Sequence, residues 1–351
     1  MDSKMKALTV YGPYDARIED VPKPEATGDM VVIKVKRTGV CATDTSIYTG
    51  ECSFIRNGSI TPPCRIGHEW SGIVEAVGPE VKNFRPGDRV FSECFVTCGK
   101  CDFCLKGDYM KCPGKRSIGT IRCWPGSYAE YMQVPERHLY HLPDELTYDE
   151  GALIEPAAVA YGAFKGVTLT ENDTAVIYGT GAIGMISAWL AKYYGAGKVV
   201  MVGRNDDKLA IALKIGADVI INNKKEDAVA KIREMTGGYG VSLVVETSGS
   251  EQALHDSAKM LGKLGRLSIV SFYEKDISSF AIDALVLGCN TIVGVANFLG
   301  HASAVCKVMC DNPVKLDPII THHVRFEDCL DVFEHEEKYR NEKIKIMVDF
   351  E

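Results

Sequence analysis

Four cysteines fall within one short stretch, Cys98-x2-Cys101-x2-Cys104-x7-Cys112. Thiolates that close together can surround one tetrahedral Zn²⁺ with metal–sulfur bonds of about 2.3 Å. Four protein sulfurs leave no open position for a substrate, so a metal here is structural. The alternative is four ordinary buried cysteines. The intervening Gly99, Lys100, Asp102, Lys106, Gly107 and Asp108 read instead as exposed turn. A second set of donors comes from separate segments. Gly39-Val-Cys41-Ala-Thr43-Asp44 and Gly67-His68-Glu69 supply a sulfur, an imidazole and a carboxylate, and Leu153-Ile-Glu155-Pro156 adds another carboxylate. Three protein ligands plus water keep one position of Zn²⁺ open, as a catalytic site requires. Any one of these residues alone would more often be structural; the set gains weight from its company.

That company includes Gly179-Thr180-Gly181-Ala182-Ile183-Gly184, which follows a predicted strand and opens a predicted helix. In that context the first glycine makes a tight turn. The second lets backbone approach a pyrophosphate, and the third packs helix on strand. The helix N-terminus offers free N–H groups and partial positive charge to the phosphates. At the end of the following strand, an acidic residue would bind the 2′-hydroxyl of an adenosine ribose and repel a 2′-phosphate. The chain has Gly203, Arg204 and Asn205 there, with Lys208 four residues beyond Arg204. Cations without that carboxylate favour NADP. Asp206 and Asp207 bring opposing charge, and Arg204 lying on the adenine face would serve NAD equally.

The elements that must position these residues divide in two. The first half is rich in strands and turns: Met30–Lys36, Gly72–Gly78, and a Pro-Gly turn in Arg85–Phe91. No helix-length periodic segment interrupts them, which points to a small β-barrel-like unit. After Pro156, strands and helices alternate. Thr174–Tyr178 is followed by a helix over Ala182–Tyr194, Val199–Val202 by one over Asp207–Ile215, and Val219–Ile221, Val241–Val245 and Leu267–Val270 continue the pattern. Such repetition gives a parallel, doubly wound α/β sheet with helices on both faces. The segment from about Thr291 is too short for a domain and is expected to rejoin the first. No internal repeat, low-complexity tract or flexible linker is present.

The 351 residues suggest two domains, and 46% hydrophobic with 25% charged residues is ordinary for globular chains. A net charge of −7 argues against a general binder of nucleic acid. Met1–Lys6 lacks the apolar core of a signal peptide, and no apolar run approaches the roughly 18 residues of a membrane span. A cytoplasmic location is expected. The 13 cysteines then need a reason other than a disulfide framework. Beyond the lobe and Cys41, the other eight (Cys52, Cys64, Cys94, Cys123, Cys289, Cys306, Cys310 and Cys329) read as small apolar filler.

Taken together, Cys41-x-Thr-Asp, Gly67-His-Glu with Gly72 and Gly78, Pro86-Gly-Asp-Arg-Val, the four-cysteine lobe and Gly179-x-Gly-x-x-Gly resemble the zinc-dependent medium-chain dehydrogenases/reductases over essentially the whole chain. That superfamily includes alcohol, sorbitol, glucose and threonine dehydrogenases. The resemblance implies a GroES-like catalytic domain from residues 1–156 and 291–351, carrying the zinc lobe at 94–114, with a Rossmann domain at 157–290. It implies two Zn²⁺ per subunit, the catalytic one on Cys41, His68 and either Glu69 or Glu155. Glu after His, and Glu155-Pro in place of a third-ligand cysteine, look more like the polyol and sugar branch. A homodimer or homotetramer is implied, joined through a sheet edge near Thr291–Gly294.

By the same resemblance, Thr43 accepts the substrate's proton and Asp44 orients His68. Two departures bear on the substrate. The histidine that often completes the proton path is replaced by Ser46, which leaves Ser46, the ribose or water as the proton's way out. The Arg-Tyr pair that holds the polyol in sorbitol dehydrogenases is replaced by Val295-Ala-Asn297-Phe298, which argues against sorbitol itself. Asn297 and the loop Tyr48–Asn57, with Glu51 and Arg56, are candidates for another hydroxylated substrate, against an ordinary surface loop. The leading expectation is reversible oxidation of a secondary hydroxyl of a polyol, sugar or cyclitol, with NADP favoured over NAD. A simple secondary-alcohol dehydrogenase or ketone reductase comes next, and a non-catalytic nucleotide-binding redox sensor last.

Overall fold

A computed structural model of the chain describes residues 4–280, 282–296 and 300–351. It divides into two compact units, one of residues 1–155, 302–310 and 322–351, the other of 156–301 and 311–321. Asn297 lies outside the described residues.

The first unit is built on a seven-stranded sheet. Its order runs Lys345–Asp349, Met30–Gly39, Glu69–Val77, Arg89–Ser92 and Leu139–His141. Ile320–Arg325 flanks Lys345–Asp349, and Tyr131–Pro135 also pairs with Met30–Gly39. Apolar side chains from these strands, among them Val31, Ile33, Val35, Trp70, Val74 and Val348, close a core with Tyr128 and Phe333. Antiparallel register sets Gly39 directly across from Glu69. A β-carbon on Gly39 would lie 2.2 Å from the Glu69 carboxylate, so only glycine leaves that carboxylate its place. The lobe is a local excursion, with short helices at Asp102–Leu105 and Tyr109–Lys111 between the paired strands Phe95–Val96 and Arg116–Ser117.

The second unit is a six-stranded parallel sheet. Its spatial order is Val219–Asn222, Lys198–Gly203, Thr174–Tyr178, Val241–Glu246, Leu261–Ile269 and Thr291–Gly294. The order reverses at Thr174–Tyr178, and ligands of such sheets bind beyond the strand ends at that reversal. Val176, Val200, Val202 and Val244 are wholly buried beneath the flanking helices. The expected return to the first unit at residue 291 is corrected here. Thr291–Gly294 pairs in parallel with Leu261–Ile269 as the sixth strand, and the units part at 301/302. Four apolar-rich residues read as the start of a new segment only while their backbone partner, 25 residues earlier at Arg266, is unknown.

Candidate active site

Cys41 stands at the end of the strand Met30–Gly39 and immediately before the helix Ala42–Thr49. Its backbone N–H donates to Asp44 Oδ2 at 3.0 Å, so Asp44 closes the helix start from its first turn. Tyr128 Oη donates to the same carboxylate oxygen at 3.1 Å. The other oxygen, Oδ1, lies 3.7 Å from His68 Nδ1, and both atoms are buried without a hydrogen-bond partner. His68 arrives on a backbone that only glycine permits: Gly67 has φ +100°, and a β-carbon there would meet Ser127 and Tyr128 below 3.0 Å.

Donor atoms of Cys41, His68 and Glu69 all lie within 4.8 Å of one another. Glu69 is almost wholly enclosed and ion-paired at 2.5 Å with the equally enclosed Lys345, which also donates to the Val40 carbonyl at 3.0 Å. Glu155 is buried but outside that donor set; its carboxylate bonds the Cys94 thiol and, with burial, pushes that thiol well up. Burial disfavours a charged His68, yet Cys41, Asp44 and Glu155 hold its pKa well above the ordinary histidine value. Burial likewise pushes Asp44 up. This largely enclosed set of donors, with an imidazole nitrogen and a carboxylate oxygen that lack hydrogen-bond partners, fits a divalent cation. Thr43 and Ser46 are half-buried, three residues apart on the same helix, and therefore share a face. The stretch Tyr48–Asn57, expected as a loop, is largely helical: Tyr48 is buried in the helix Ala42–Thr49, and Arg56 ends the short helix Ser53–Arg56 and donates to the Glu51 carbonyl.

In the lobe, the donor atoms of Cys98, Cys101, Cys104 and Cys112 also lie within 4.8 Å of one another. The sulfurs approach to 3.5 Å for Cys101–Cys104, 3.6 Å for Cys98–Cys112 and 3.9 Å for Cys98–Cys104. A tetrahedron with bonds of about 2.3 Å has edges of about 3.8 Å, so the four sulfurs fit zinc. Backbone N–H groups of Lys100 and Cys101 pull Cys98 down to about 6, ready to bind as thiolate.

In the second unit, Gly179 has φ +117° and the helix Ala182–Tyr193 begins at Gly181. A β-carbon on Gly184 would meet the Gly179 carbonyl at 1.9 Å, whereas one on Gly181 would meet nothing within 4 Å. The third glycine is thus required by packing, and the second leaves open space at a helix N-terminus. Thr180 packs over Gly203, where a β-carbon would lie 2.3 Å from it; Ala182 and Ile183 are half-buried. Arg204 is exposed and has no ion pair among the described residues. Asn205 caps the next helix, its Oδ1 accepting from Lys208 N at 3.0 Å. Asp206 is ion-paired with Lys225 at 2.6 Å and accepts from Asn222 at 2.8 Å. Its negative charge, which opposed NADP in the sequence, is thereby compensated.

Three metal-donor side chains in one unit, His68 and Glu69 buried and Cys41 half-buried, and a nucleotide-type sheet in the other define a metal-dependent nicotinamide dehydrogenase. Residues 27–144 match the alcohol dehydrogenase GroES-like domain and residues 182–308 the zinc-binding dehydrogenase family. The chain is 30% identical to sorbitol dehydrogenase of Bacillus subtilis over 344 residues, 98% of this chain and 97% of that one. It is 32% identical to D-arabitol-phosphate dehydrogenase of Enterococcus avium over 356 residues, 99% and 98% of the two. The crystal structure of 2R,3R-butanediol dehydrogenase from Bacillus subtilis superposes with a TM-score of 0.87 at 29% identity, covering 99% of this chain and 100% of that one. The protein belongs to the zinc-dependent medium-chain alcohol dehydrogenase superfamily. It is a zinc-type, NAD(P)-dependent dehydrogenase acting on CH–OH donors, with a four-cysteine structural site and a Cys/His/Glu catalytic site.

Lys345 and Tyr128 were invisible as site residues in the sequence. Lys345 sits in an apolar strand and Tyr128 in a stretch without motif; only the fold brings them to Glu69 and Asp44.

Proposed function

We propose that this enzyme reversibly oxidises a secondary hydroxyl of a polyol, sugar or cyclitol, with NADP preferred as hydride acceptor. The observation that carries the reading is the compact Cys41–His68–Glu69 donor set, which leaves a tetrahedral metal one position for substrate. When bound, zinc supplies Lewis-acid polarisation of a hydroxyl and the nicotinamide supplies a hydride acceptor. Cys41, His68 and Glu69 hold the metal, and Asp44 orients His68. Glu155 is the alternate carboxylate. The Thr43 hydroxyl takes the substrate's proton, and Ser46, on the same helix face, passes it outward. Gly179, Thr180, Gly181, Ala182, Ile183 and Gly184 cradle the pyrophosphate. Arg204 and Lys208, at the turn beginning with Gly203 and Asn205, meet the 2′-phosphate.

Support for NADP comes from the uncommitted Arg204 and from the compensation of Asp206 by Lys225. The same proposal includes a cytoplasmic homodimer or homotetramer. Among the described residues no helix is long and apolar enough to cross a membrane, and the edge strand Thr291–Gly294 is largely exposed. Such edges pair readily.

Initial rates of NADP and NAD reduction across polyols, sugars, cyclitols and simple secondary alcohols test the reading. A hydroxylated substrate turned over better with NADP is the expected result, and Arg204→Ser should reduce that preference by about tenfold or more. Turnover of simple alcohols alone, or a native preference for NAD, overturns the corresponding part.

A further inference from the structure

Glu246 is the last residue of the strand Val241–Glu246 in the second unit, and it is wholly buried. Four donors converge on its carboxylate. Ser248 N and Oγ donate to Oε1 at 2.7 and 2.5 Å. Ser271 Oγ and Tyr273 Oη donate to Oε2 at 2.5 and 2.6 Å. Among the described residues no cation is ion-paired with it. A buried carboxylate without a counter-cation is costly unless donors satisfy it, and its two oxygens have acceptor sites for about four.

The donors belong to two loops. Ser248 follows Val241–Glu246, whereas Ser271 and Tyr273 follow the neighbouring strand Leu261–Ile269. The loops meet again where the Gly249 N–H donates to Ser271 Oγ at 2.9 Å. Gly249 has φ +65°, and a β-carbon there would lie 2.7 Å from the Phe272 carbonyl, so this approach requires glycine. Ser248 and Phe272 are exposed, so at these positions hydrogen bonds and backbone contact fix the loops rather than a buried side chain. Between Glu246 and Ser248, Thr247 faces the glycine turn. Its N–H and Oγ1 donate to the Tyr178 carbonyl at 2.9 and 3.0 Å. A β-carbon on Gly179 or Gly184 would meet Thr247 Oγ1 at 2.5 or 2.9 Å. One carboxylate thus ties two loops together beside that turn.

Each half of a doubly wound sheet takes one mononucleotide of a dinucleotide. With the adenosine ribose at the end of Lys198–Gly203, the nicotinamide half falls beyond the ends of Val241–Glu246 and Leu261–Ile269. We propose that Glu246 is a positioning residue for the nicotinamide half of the cofactor, holding the two loops that flank it in place before it binds. The inference rests on the cofactor placement proposed above. A surface already held in its binding form loses none of the ligand's affinity to ordering. Glu246→Gln keeps the size of the side chain and one carbonyl oxygen for Ser248. It turns two N–H groups toward the Ser271 and Tyr273 hydroxyls, which in the native chain donate. The tie within the first loop survives and the tie between the loops weakens.

The experiment titrates the zinc-loaded full chain by calorimetry with NADPH and NADH, and with 2′,5′-ADP and ADP, which carry the adenosine side alone. In Glu246→Gln the preferred dinucleotide should bind about tenfold more weakly, with its adenosine fragment unchanged within about twofold. Tyr273→Phe removes one of the four donors and should shift the same ratio in the same direction by about threefold. If Glu246→Gln fails to fold, Tyr273→Phe decides alone. Equal weakening of dinucleotide and fragment means a merely structural role and overturns the proposal, as does unchanged dinucleotide binding. Failure of the underlying placement shows separately. Arg204→Glu sets a carboxylate where the adenosine ribose is placed and should alter binding of 2′,5′-ADP or ADP. If it alters neither, the placement fails and the proposal with it.

Discussion

The two metal clusters of the first unit are made in opposite ways. The lobe takes its four sulfurs from 15 consecutive residues, Cys98 to Cys112, held by turns and two very short helices. The catalytic cluster takes its donors from a helix start and a strand start, and balances Glu69 with a lysine 276 residues away. The lobe's sulfurs satisfy one another around a single point and leave no vacancy in a tetrahedron. The catalytic cluster instead keeps buried polar atoms without partners, Asp44 Oδ1 and His68 Nδ1. A closed local cage suits holding a fold; a long-range, incompletely satisfied set suits binding something that comes and goes.

That contrast breaks most visibly when one ligand is removed from each cluster. Cys41→Ala should lower kcat/KM by at least about a thousandfold while leaving the chain folded, because several kcal/mol of Lewis-acid stabilisation depend on the metal. Cys101→Ser should instead lower the thermal midpoint by about ten degrees or more, with loss of one zinc equivalent. If zinc content, melting and turnover respond alike in both variants, the two clusters do not differ in kind.

A subtler break targets Lys345. Lys345→Met leaves the Glu69 carboxylate buried and uncompensated, at a cost of roughly 3–5 kcal/mol in denaturant unfolding. Adding Glu69→Gln should recover much of that loss. A neutral Lys345→Met would mean that the carboxylate is balanced from elsewhere.

Acid sharpens the comparison from the lobe's side. His138 is buried and its Nε2 accepts from the Thr97 N–H at 3.1 Å, one residue before Cys98. Burial and neighbouring Arg137 push its pKa down to about 4 from 6.5. The unfolded chain therefore takes up a proton at higher pH than the folded chain. Stability from this group is complete above pH 6.5 and declines as pH falls toward 4, by about 2–3 kcal/mol. His138→Gln, which keeps an acceptor for Thr97, should flatten that decline in urea titrations across this range; an unchanged slope assigns it to other groups.

What could be read from the sequence follows the same division between local and distant. The lobe and the glycine turn were legible because their chemistry depends on spacings of two to seven residues. Cys41, His68 and Glu69 were legible as residue types. Their joining could not be read from spacing, since it depends on the register that sets Gly39 across from Glu69. The choice between Glu69 and Glu155 was open in the sequence for the same reason. Asn205 looked like a ribose contact and proves also to cap a helix, a role that the following Asp206-Asp207-Lys208 could have suggested.

The strand Lys345–Asp349 gives the catalytic cluster a history as well as a geometry. Its pairing with Met30–Gly39 and the lysine it brings to Glu69 both wait for residues translated 276 positions after that glutamate. At about 5–20 residues per second, the interval on the ribosome is on the order of half a minute. Throughout it Glu69 has been made and its counterion has not, whereas the last strand of the parallel sheet, ending at Gly294, is translated 51 positions before Lys345. The catalytic metal site is thus among the last parts of the molecule to be completed during synthesis, and the cell would see a nucleotide-binding fold before it sees a dehydrogenase.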